Sequence, residues 1–255
     1  MKNLFDLSGK VAIVTGAGSG LGRRFAQVLA AAGANLALVD RNDDGLVTTE
    51  ALVEGDGIEV FSAKCDVSDR ESVKKTVAEI KKQFGRIDIL VNNAGVATVG
   101  ASHEHDDDEW DKVINVNLNG VFFMSRAVGK IMVKQKYGKI VNMGSIHSNV
   151  AMSGLPITAY CTSKGGVLMM TKALAAEWAR YGITVNAIGP SYFKSAMTKG
   201  VLGSKEFQRT LENMCPMGRV GEEGELDGAL LYFASDASSF TTGQLLSVDG
   251  GWTAL

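Results

Sequence analysis

Short apolar runs and longer helical patterns alternate along the chain. Seven apolar runs predict strands, and these are Val11–Val14, Asn35–Val39, Glu59–Ala63, Ile87–Val91, Lys139–Met143, Thr184–Ile188 and Leu245–Val248. Segments with helical spacing of apolar residues lie between them, including Leu21–Ala32, Arg70–Phe84, Trp110–Val133, Tyr160–Tyr181 and Glu223–Ala234. This alternation predicts an α/β fold: one doubly wound, seven-stranded parallel sheet with helices on both faces.

A polar residue or a glycine follows each of the first six predicted strands. In a doubly wound sheet, ligands bind at these carboxyl ends of the strands. The first strand runs into a turn with glycines at 16, 18, 20 and 22, and a helical pattern opens at Leu21. Glycine lets the backbone approach a pyrophosphate, and a helix start offers free N–H groups to it. The spacing differs from G-x-G-x-x-G, so a purely structural turn is the alternative.

Asp40 ends the second predicted strand. A carboxylate there can accept hydrogen bonds from both hydroxyls of an adenosine ribose and repels a 2′-phosphate, which favours NAD as the cofactor. The neighbouring Arg41 keeps NADP open as the alternative, because an arginine can pair with that phosphate. The structural alternative for Asp40 is a turn residue or an N-cap before the segment Asn42–Val53.

Tyr160 and Lys164 are four residues apart in a strongly helical segment, so they share one helix face. A nearby ammonium favours the phenolate form of a tyrosine, and so does the positive charge of an oxidised nicotinamide. Tyr160 is therefore a candidate acid/base, although most such pairs are solvated helix faces. Ser145, at the end of the fifth strand, has a hydroxyl that can hold a carbonyl oxygen. Asn117 adds a polar group inside a predicted helix, where asparagine is disfavoured.

Length, charge and cysteine content exclude several classes of protein. A chain of 255 residues can form one α/β domain, so we expect residues 1–255 to be a single domain. The net charge of −2 gives no reason to expect nucleic acid or a membrane surface as a partner. The three cysteines, Cys65, Cys161 and Cys215, lack metal-ligand spacing and argue for a reducing compartment. No apolar run is long enough for a transmembrane helix or a signal peptide, so we expect a cytoplasmic protein.

Several short motifs are spread over essentially the whole chain: Thr15–Gly22 (TGAGSGLG), Asp66-Val67, Asn92–Gly95 (NNAG), Asn117, Ser145, Tyr160 with Lys164, Asn186 with Pro190, and Val248–Gly251 (VDGG). As a set they resemble the short-chain dehydrogenase/reductase family, in its common form of about 250 residues. The resemblance implies reversible hydride transfer between an alcohol and nicotinamide C4, without a metal. It also implies a homotetramer, with the helices predicted at Trp110–Val133 and Tyr160–Tyr181 in interfaces.

The resemblance assigns four residues to catalysis. Tyr160 would be the acid/base, and Ser145 would orient the substrate oxygen and stabilise the tyrosinate. Lys164 would bind the nicotinamide ribose and lower the tyrosine pKa. Asn117 would hold a water molecule that continues a proton relay from the lysine.

The resemblance also implies a cofactor site. The glycine turn would hold the pyrophosphate, Asp66 and Val67 would contact adenine, and Asn93 would pack near the adenine ribose. The complete expected set is Gly16, Ser19, Gly20, Leu21, Gly22, Asp40, Arg41, Asp66, Val67, Asn93, Ala94, Gly95, Tyr160, Lys164, Pro190, Tyr192, Phe193 and Ser195.

The chain departs from the family pattern at three places. Ser191 stands where glycine is usual after the proline, and Ser195 stands for a threonine that holds the nicotinamide carboxamide. Because serine keeps the hydroxyl, we expect that contact to survive. The interval from Ser145 to Tyr160 is about two residues longer than usual, so Ser148 would replace Ser145 if the loop shifts register.

Substrate choice is expected in the stretches Val96–His105, Ile146–Ile157 and Ser191–Cys215, the last forming a substrate loop at about 191–215. The expected substrate-binding residues are Ser145, His147, Tyr160 and Tyr192. Further polar or basic candidates in these stretches are His103, His105, Asn149, Lys194 and Lys199, although a lone loop histidine or lysine is most often solvated. Such groups suit a hydroxylated or anionic substrate better than a steroid.

The run SYFKSAMTKGV at Ser191–Val201 resembles that of gluconate 5-dehydrogenases, as do the opening LFDLSGK at Leu4–Lys10 and the closing VDGG at Val248–Gly251. We therefore predict a sugar acid or a polyol as the substrate. A 3-oxoacyl-(acyl carrier protein) reductase is the alternative. That activity usually uses NADPH, however, and the carboxylate of Asp40 disfavours NADPH. A non-catalytic dinucleotide sensor is a further alternative. Such members tend to lose the tyrosine or the lysine, and this chain keeps Tyr160 and Lys164.

Overall fold

Seven parallel strands form one sheet in the computed structural model, which describes residues 3–55, 57–194 and 202–254. The strands are β1 (Val11–Thr15), β2 (Asn35–Asp40), β3 (Val60–Lys64), β4 (Ile89–Asn92), β5 (Gly138–Met143), β6 (Ile183–Pro190) and β7 (Leu245–Val248). Their order across the sheet is β3-β2-β1-β4-β5-β6-β7. The order reverses between β1 and β4, where a doubly wound sheet opens a crevice for a ligand. The predicted Rossmann-like fold is confirmed.

Helices cover both faces of the sheet. Those in the described residues are α1 (Gly20–Ala31), α2 (Asp43–Val53), α3 (Arg70–Phe84), α4 (Asp107–Ile114), α5 (Gly120–Gln135), α6 (Thr158–Trp178), α7 (Lys205–Met214) and α8 (Asp227–Ala234). Side chains alternate between the two faces of a strand, so consecutive residues of β1 enter different cores. Ala12 and Val14 are buried with α1, α2 and α8, whereas Ile13 is buried with α3, α5 and α6.

Local signals explain where several helices begin and end. The side chains of Asn42, Asp69 and Asp106 each accept a hydrogen bond from a backbone N–H in the first turn of α2, α3 and α4. Helix α3 ends at Gly85, whose φ of 72° is the left-handed conformation that suits glycine. None of the helices in the described ranges combines the length and the apolar character that a bilayer crossing requires.

The segment Trp110–Val133, predicted as one regular helix, differs from the prediction at its centre. Helix α4 ends at Ile114, a π-helical turn spans Asn115–Asn119, and α5 starts at Gly120. A π-turn carries one more residue per hydrogen-bonded turn and occurs often at functional sites. Asn117 lies within this turn and is fully buried. Apolar periodicity alone does not reveal such an insertion.

Helix α7 was not predicted, because its sequence lies in the stretch expected to be a substrate loop. The Ser204 hydroxyl caps it by accepting a hydrogen bond from the Phe207 N–H at 3.1 Å. Phe207 and Leu211 are buried on one face of the helix, in a cluster with Trp252 from the end of the chain. The substrate loop is therefore partly helical and has an apolar core of its own.

Candidate active site

A cavity of about 490 Å³ opens at the carboxyl ends of strands β1 to β6. Residues from the loop after each of these strands contribute to its wall. The volume lies in the range of sites for small molecules and cofactors. The polar residues and glycines that follow six strands in the sequence therefore meet at one edge of the sheet.

The glycines after β1 serve different purposes. Gly16 has a φ of 68°, and a Cβ atom there would lie 2.9 Å from the Cα of Ala94. A Cβ at Gly22 would overlap the carbonyl oxygen of Gly16, so this glycine permits close packing of α1 under the turn. At Gly20, which lines the cavity, a Cβ would meet nothing within 4 Å. Ser19, the N-cap of α1, makes no side-chain cap, so the first N–H groups of α1 are left for an anion.

Two side chains that sequence reasoning missed hold the glycine turn from below. The Arg23 guanidinium donates to the Gly18 carbonyl and, at 2.9 Å, to the Thr49 hydroxyl. Thr49 is fully buried and donates to the Ala17 carbonyl at 2.8 Å. Neither residue belongs to a glycine motif, and only the tertiary contact between α1 and α2 brings them together. The turn is thus held in place without any ligand.

The NNAG segment fastens β4 to the same turn. The Asn93 backbone N–H donates to the Thr15 hydroxyl at 3.0 Å, and its side-chain amide donates to the Thr15 carbonyl at 3.0 Å. The Ala94 N–H also donates to the Thr15 hydroxyl, at 3.1 Å. Asn93, Ala94 and Gly95 line the cavity where the strand order reverses.

Two backbone hydrogen bonds fix the side chain of Asp40, which lines the cavity at the end of β2. Its Oδ2 accepts a hydrogen bond from the Gly18 N–H at 2.9 Å, and its Oδ1 accepts one from the Asn42 N–H at 3.0 Å. The N-cap of α2 is Asn42, so the carboxylate of Asp40 does not cap this helix. Both Asp40 and the exposed Arg41 line the cavity. The carboxylate is thus held in one orientation, and each oxygen keeps a lone pair for a ligand hydroxyl.

Ser145, rather than Ser148, lies at the candidate tyrosine. Ser145 caps a short 3₁₀ turn (Ile146–Ser148), and its hydroxyl accepts from the His147 N–H at 3.2 Å. Ser145 lines the cavity together with Tyr160 and acts to lower the pKa of that tyrosine. The Ser148 hydroxyl instead accepts from the Ser145 N–H at 3.2 Å and does not line the cavity. The longer loop has therefore not shifted the register of the serine.

Tyr160 and Lys164 lie on one face of α6 and both line the cavity. The Lys164 ammonium donates to the Met143 carbonyl at 2.7 Å and lies 5.5 Å from the centre of the Tyr160 ring. Lys164 is 5% exposed, and burial lowers its pKa to about 8. Burial raises the pKa of Tyr160, and the polar hydroxyl of Ser145 opposes that rise. Desolvation is the largest cause of the shift, and the lowering of the Tyr160 pKa expected from the Lys164 ammonium remains a prediction.

Asn117 uses its side chain to hold the loop after β4. Its Oδ1 accepts from the Val96 N–H at 2.8 Å, and its Nδ2 donates to the Val96 carbonyl at 2.9 Å and to the Ser163 hydroxyl at 3.1 Å. The amide is thus engaged with protein on both sides, and Asn117 does not itself line the cavity. The relay through a water molecule remains a prediction.

Most residues expected at the cofactor do line the cavity. These are Gly16, Ser19, Gly20, Leu21, Asp40, Arg41, Asp66, Val67, Asn93, Ala94, Gly95, Tyr160, Lys164, Pro190, Tyr192 and Phe193. Gly22 does not, because it packs beneath the turn, and Ser195 lies outside the described residues. The Asp66 carboxylate accepts hydrogen bonds from the N–H and hydroxyl of Ser68, at 2.9 and 2.6 Å.

The substrate end of the cavity is less polar than the sequence suggested. Of the expected polar and basic candidates, Ser145, His147, Tyr160 and Tyr192 line it. Four further candidates do not line the cavity: His103 pairs with Glu104, His105 contacts Thr98, Asn149 is exposed and Lys194 pairs with Glu222. Lys199 lies outside the described residues. Apolar lining residues that sequence reasoning missed include Val99, Ile146, Leu155 and Ile157.

Comparison with known proteins gives matches over almost the whole chain. A family model described as enoyl-(acyl carrier protein) reductase matches residues 16–253. A gluconate 5-dehydrogenase from Gluconobacter oxydans is 40% identical over 251 residues, which cover 98% of this chain and 97% of the relative. A D-threitol dehydrogenase from Mycolicibacterium smegmatis is 41% identical over 253 residues, covering 98% and 95%. The solved structure of a gluconate 5-dehydrogenase from Burkholderia cenocepacia J2315, in complex with NADP and tartrate, has a TM-score of 0.94 at 38% identity, covering 99% of this chain and 98% of that one.

Proposed function

The chain belongs to the short-chain dehydrogenase/reductase family, and on this premise we propose that it transfers a hydride between NAD(H) and a secondary alcohol or ketone of a sugar acid or polyol. It is an oxidoreductase that acts on CH–OH groups, with a nicotinamide dinucleotide as cofactor. The preference for NAD, the roles of individual residues and the substrate class are parts of the proposal. The observation that carries it is the convergence of Ser145, Tyr160 and Lys164 on one cavity with the glycine turn.

The site fits a dinucleotide on the chemistry of its own groups. The N-terminus of α1 faces the cavity without a side-chain cap, and Gly20 leaves the space above it open. A bound nicotinamide supplies the hydride acceptor for oxidation and the hydride donor for reduction. The residues proposed to bind and orient it are Asp40 at the adenosine ribose, Asn93 beside the turn, and Lys164 at the second ribose.

Tyr160 is the proposed proton carrier. In oxidation its phenolate accepts the proton of the substrate hydroxyl, and in reduction its phenol returns a proton to the developing alkoxide. The Ser145 hydroxyl, which lines the same cavity as Tyr160, is the proposed donor to the same substrate oxygen. Lys164 remains mostly protonated at neutral pH because its pKa is about 8, so its charge favours the phenolate form during oxidation. Asn117 is a positioning residue that holds Val96 and Ser163 around this group.

The cofactor preference is proposed from Asp40. Its carboxylate is fixed by Gly18 and Asn42, so it can accept ribose hydroxyls without reorganisation and places negative charge where a 2′-phosphate would lie. Asp40→Ala should raise the Kd for NAD about 10-fold to 100-fold and reduce the discrimination against NADP. The measurement is a fluorescence titration of both cofactors.

The matched control for Asp40→Ala is Asp43→Ala. Asp43 pairs with Lys64 on the surface and does not line the cavity, so its removal should leave both Kd values unchanged. Tighter NAD binding in Asp40→Ala, or equal effects of the two substitutions, would contradict the assignment. Arg41→Ala completes the set, because it should weaken NADP more than NAD.

The substrate class is proposed from the relatives and from the cavity together. Relatives named for a sugar acid and for a polyol are 40% and 41% identical, so overall likeness points to a sugar-derived alcohol without choosing between them. A 3-oxoacyl thioester reductase stays the alternative. Purified protein should oxidise alditols or aldonates with NAD, followed as absorbance at 340 nm, and should reduce acetoacetyl thioesters poorly. Efficient reduction of an acetoacetyl thioester without turnover of any sugar-derived alcohol would overturn the proposal.

We further propose a cytoplasmic homotetramer. Helices α5 and α6, expected in interfaces, leave Phe122 39% and Met169 63% exposed, and β7 leaves Leu246 40% exposed. Large apolar side chains on the outside of adjacent elements suit burial against another copy of the chain. No observation here favours a non-catalytic sensor, because the tyrosine, the lysine and the serine are all present at the cavity.

A further inference from the structure

The part of the cavity beyond Tyr160 differs in character from the cofactor end. The charged side chains among its described lining residues are Asp40, Arg41, Asp66 and Lys164. The first three lie at the adenosine end, and Lys164 is hydrogen-bonded to the Met143 carbonyl. Around the substrate end, the described lining residues are Val96, Ala97, Val99, Ile146, His147, Leu155, Ile157, Ser191, Tyr192 and Phe193. The polar side chains among these described residues are those of His147, Ser191 and Tyr192, so hydrogen bonding by this described wall depends on neutral groups.

His147 offers a hydrogen-bond acceptor to this end of the cavity. Its side chain is 7% exposed, and its ring meets the ring of Tyr160 edge-on, with centroids 6.1 Å apart. Nδ1 lies 3.1 Å from the Val150 carbonyl, which can only accept, so Nδ1 carries the hydrogen. Burial also lowers the pKa of His147, which keeps the ring neutral. Nε2 is then an acceptor, and it has no partner among the described residues.

Tyr192 adds a second neutral polar group to the lining of the cavity. Its ring packs against Phe207 and Trp252, with centroids 4.7 and 5.4 Å away, so its position is fixed. Its hydroxyl has a weak bond to the Met152 sulfur at 3.4 Å, which a better acceptor can replace. Burial raises its pKa to about 12, so the hydroxyl stays protonated at physiological pH.

We propose that the substrate is an uncharged polyol or its ketose, and that His147 Nε2 accepts a hydrogen bond from a hydroxyl next to the reacting carbon. This inference rests on the proposed function and narrows it from sugar acids and polyols to the neutral class. The apolar lining packs against the carbon chain, while His147 and Tyr192 read its hydroxyls. A hydroxyl satisfies Nε2 by donating to it, whereas a carboxylate would place an acceptor against an acceptor.

The first test compares substrates that differ only in charge. Each alditol is paired with the aldonate of the same carbon chain, for example D-threitol with threonate, galactitol with galactonate and D-glucitol with D-gluconate. For the pair with the highest turnover, we expect kcat/KM to be at least about tenfold higher for the alditol. An aldonate that is the better substrate overturns the inference and leaves the proposed function standing. Turnover of an acetoacetyl thioester alone overturns both.

The second test isolates His147. In the reductive direction, 1-hydroxy-2-butanone and 2-butanone differ by one hydroxyl beside the reacting carbonyl. His147→Leu should lower kcat/KM for the hydroxyketone about tenfold, mostly through KM, and should leave the value for 2-butanone within about twofold. His147→Gln, which keeps an acceptor, should recover part of the loss. Equal losses on both ketones would show a merely structural role and overturn the assignment.

The controls separate binding of substrate from folding and from cofactor binding. His103→Leu removes an exposed histidine outside the cavity and should leave both ketones unaffected. The thermal midpoint and the Kd for NADH of His147→Leu should match those of the parent protein. A raised Kd for NADH in His147→Leu would place the histidine at the cofactor and also count against the proposal.

Discussion

Tyr160→Phe should lower kcat by about 10³-fold or more in both directions of the reaction, while the Kd for NADH stays within about twofold. The substitution keeps the ring that packs against His147 and removes only the hydroxyl. Without it, the proton of the substrate alcohol has no acceptor at the reacting oxygen, and the alkoxide formed in reduction has no donor. Initial rates at 340 nm and a cofactor titration give the two quantities.

The matched control is Tyr137→Phe, at the opposite end of the sheet. Tyr137 is half-buried and donates a hydrogen bond to Asp236 at 3.1 Å, so this variant also loses a tyrosine hydroxyl with a polar partner. It should lose about 1 kcal/mol of stability and keep its activity. If Tyr160→Phe retained more than about a tenth of the parental kcat, another group would have to carry the proton.

The direction of the Tyr160 pKa shift also predicts how the rates respond to pH. Burial raises the pKa, so the phenol is the form present at neutral pH before substrate and cofactor bind. Reduction needs the phenol and should be constant through neutral pH. Oxidation needs the phenolate, so its kcat/KM should rise with pH over the same range. An oxidation rate that falls as the pH rises from about 6 to 7.5, where Lys164 is still mostly protonated, would contradict this assignment.

The sequence predicted most of the framework because the framework repeats simple periodicities. Strand runs such as Val11–Val14 are buried on both faces, and the amphipathic α3 has clear caps at Asp69 and Gly85. The π-turn at Asn115–Asn119 is different, because an inserted residue leaves the apolar pattern on either side intact. Its position had to come from backbone geometry.

The residues of the candidate site also fall into two groups, those that motif spacing predicted and those that only the folded chain brings together. Motif spacing identified Ser145, Tyr160 and Lys164, and the strand ends bring them to one cavity. Spacing could not show that Arg23 and Thr49 hold the glycine turn, since α1 and α2 meet only in the folded chain. The polar and basic loop residues of the sequence also predicted a more polar substrate end than the described lining residues form. Whether a loop histidine lines a cavity or pairs at the surface depends on tertiary packing, which local sequence does not encode.

Lys164→Met should abolish most activity and yet stabilise the folded protein near neutral pH. Removing the ammonium takes away the proposed ribose ligand and the charge that favours the Tyr160 phenolate, so kcat/KM should fall about 10²-fold to 10³-fold. Lys164 is 5% exposed, and its ammonium forms no ion pair with a carboxylate of the described residues, so the fold bears the cost of its burial. Loss of activity and gain of stability should therefore accompany each other.

The size and the pH dependence of the gain follow from the pKa of Lys164. Burial lowers it from 10.5 to about 8. Between these values the unfolded chain holds a proton that the folded protein has lost, so the free energy of unfolding rises with pH across this window. Below it both states are charged, and the buried charge costs the folded state about 3 kcal/mol. The lost hydrogen bond to the Met143 carbonyl offsets about 1 to 2 kcal/mol, which leaves a net gain of about 1 to 2 kcal/mol at pH 7.

Urea unfolding at pH 7 and at pH 10, at one protein concentration, measures this effect. The difference between Lys164→Met and the parent should shrink by about 2 kcal/mol at pH 10, because the parental Lys164 is then neutral in the folded state. Lys172→Met, on the exposed side of the same helix, should show no such dependence on pH. A gain that stayed constant between the two pH values would mean that packing of the methionine, and not relief of a buried charge, stabilises the variant. The lysine would then be held in the site at no electrostatic cost to the fold.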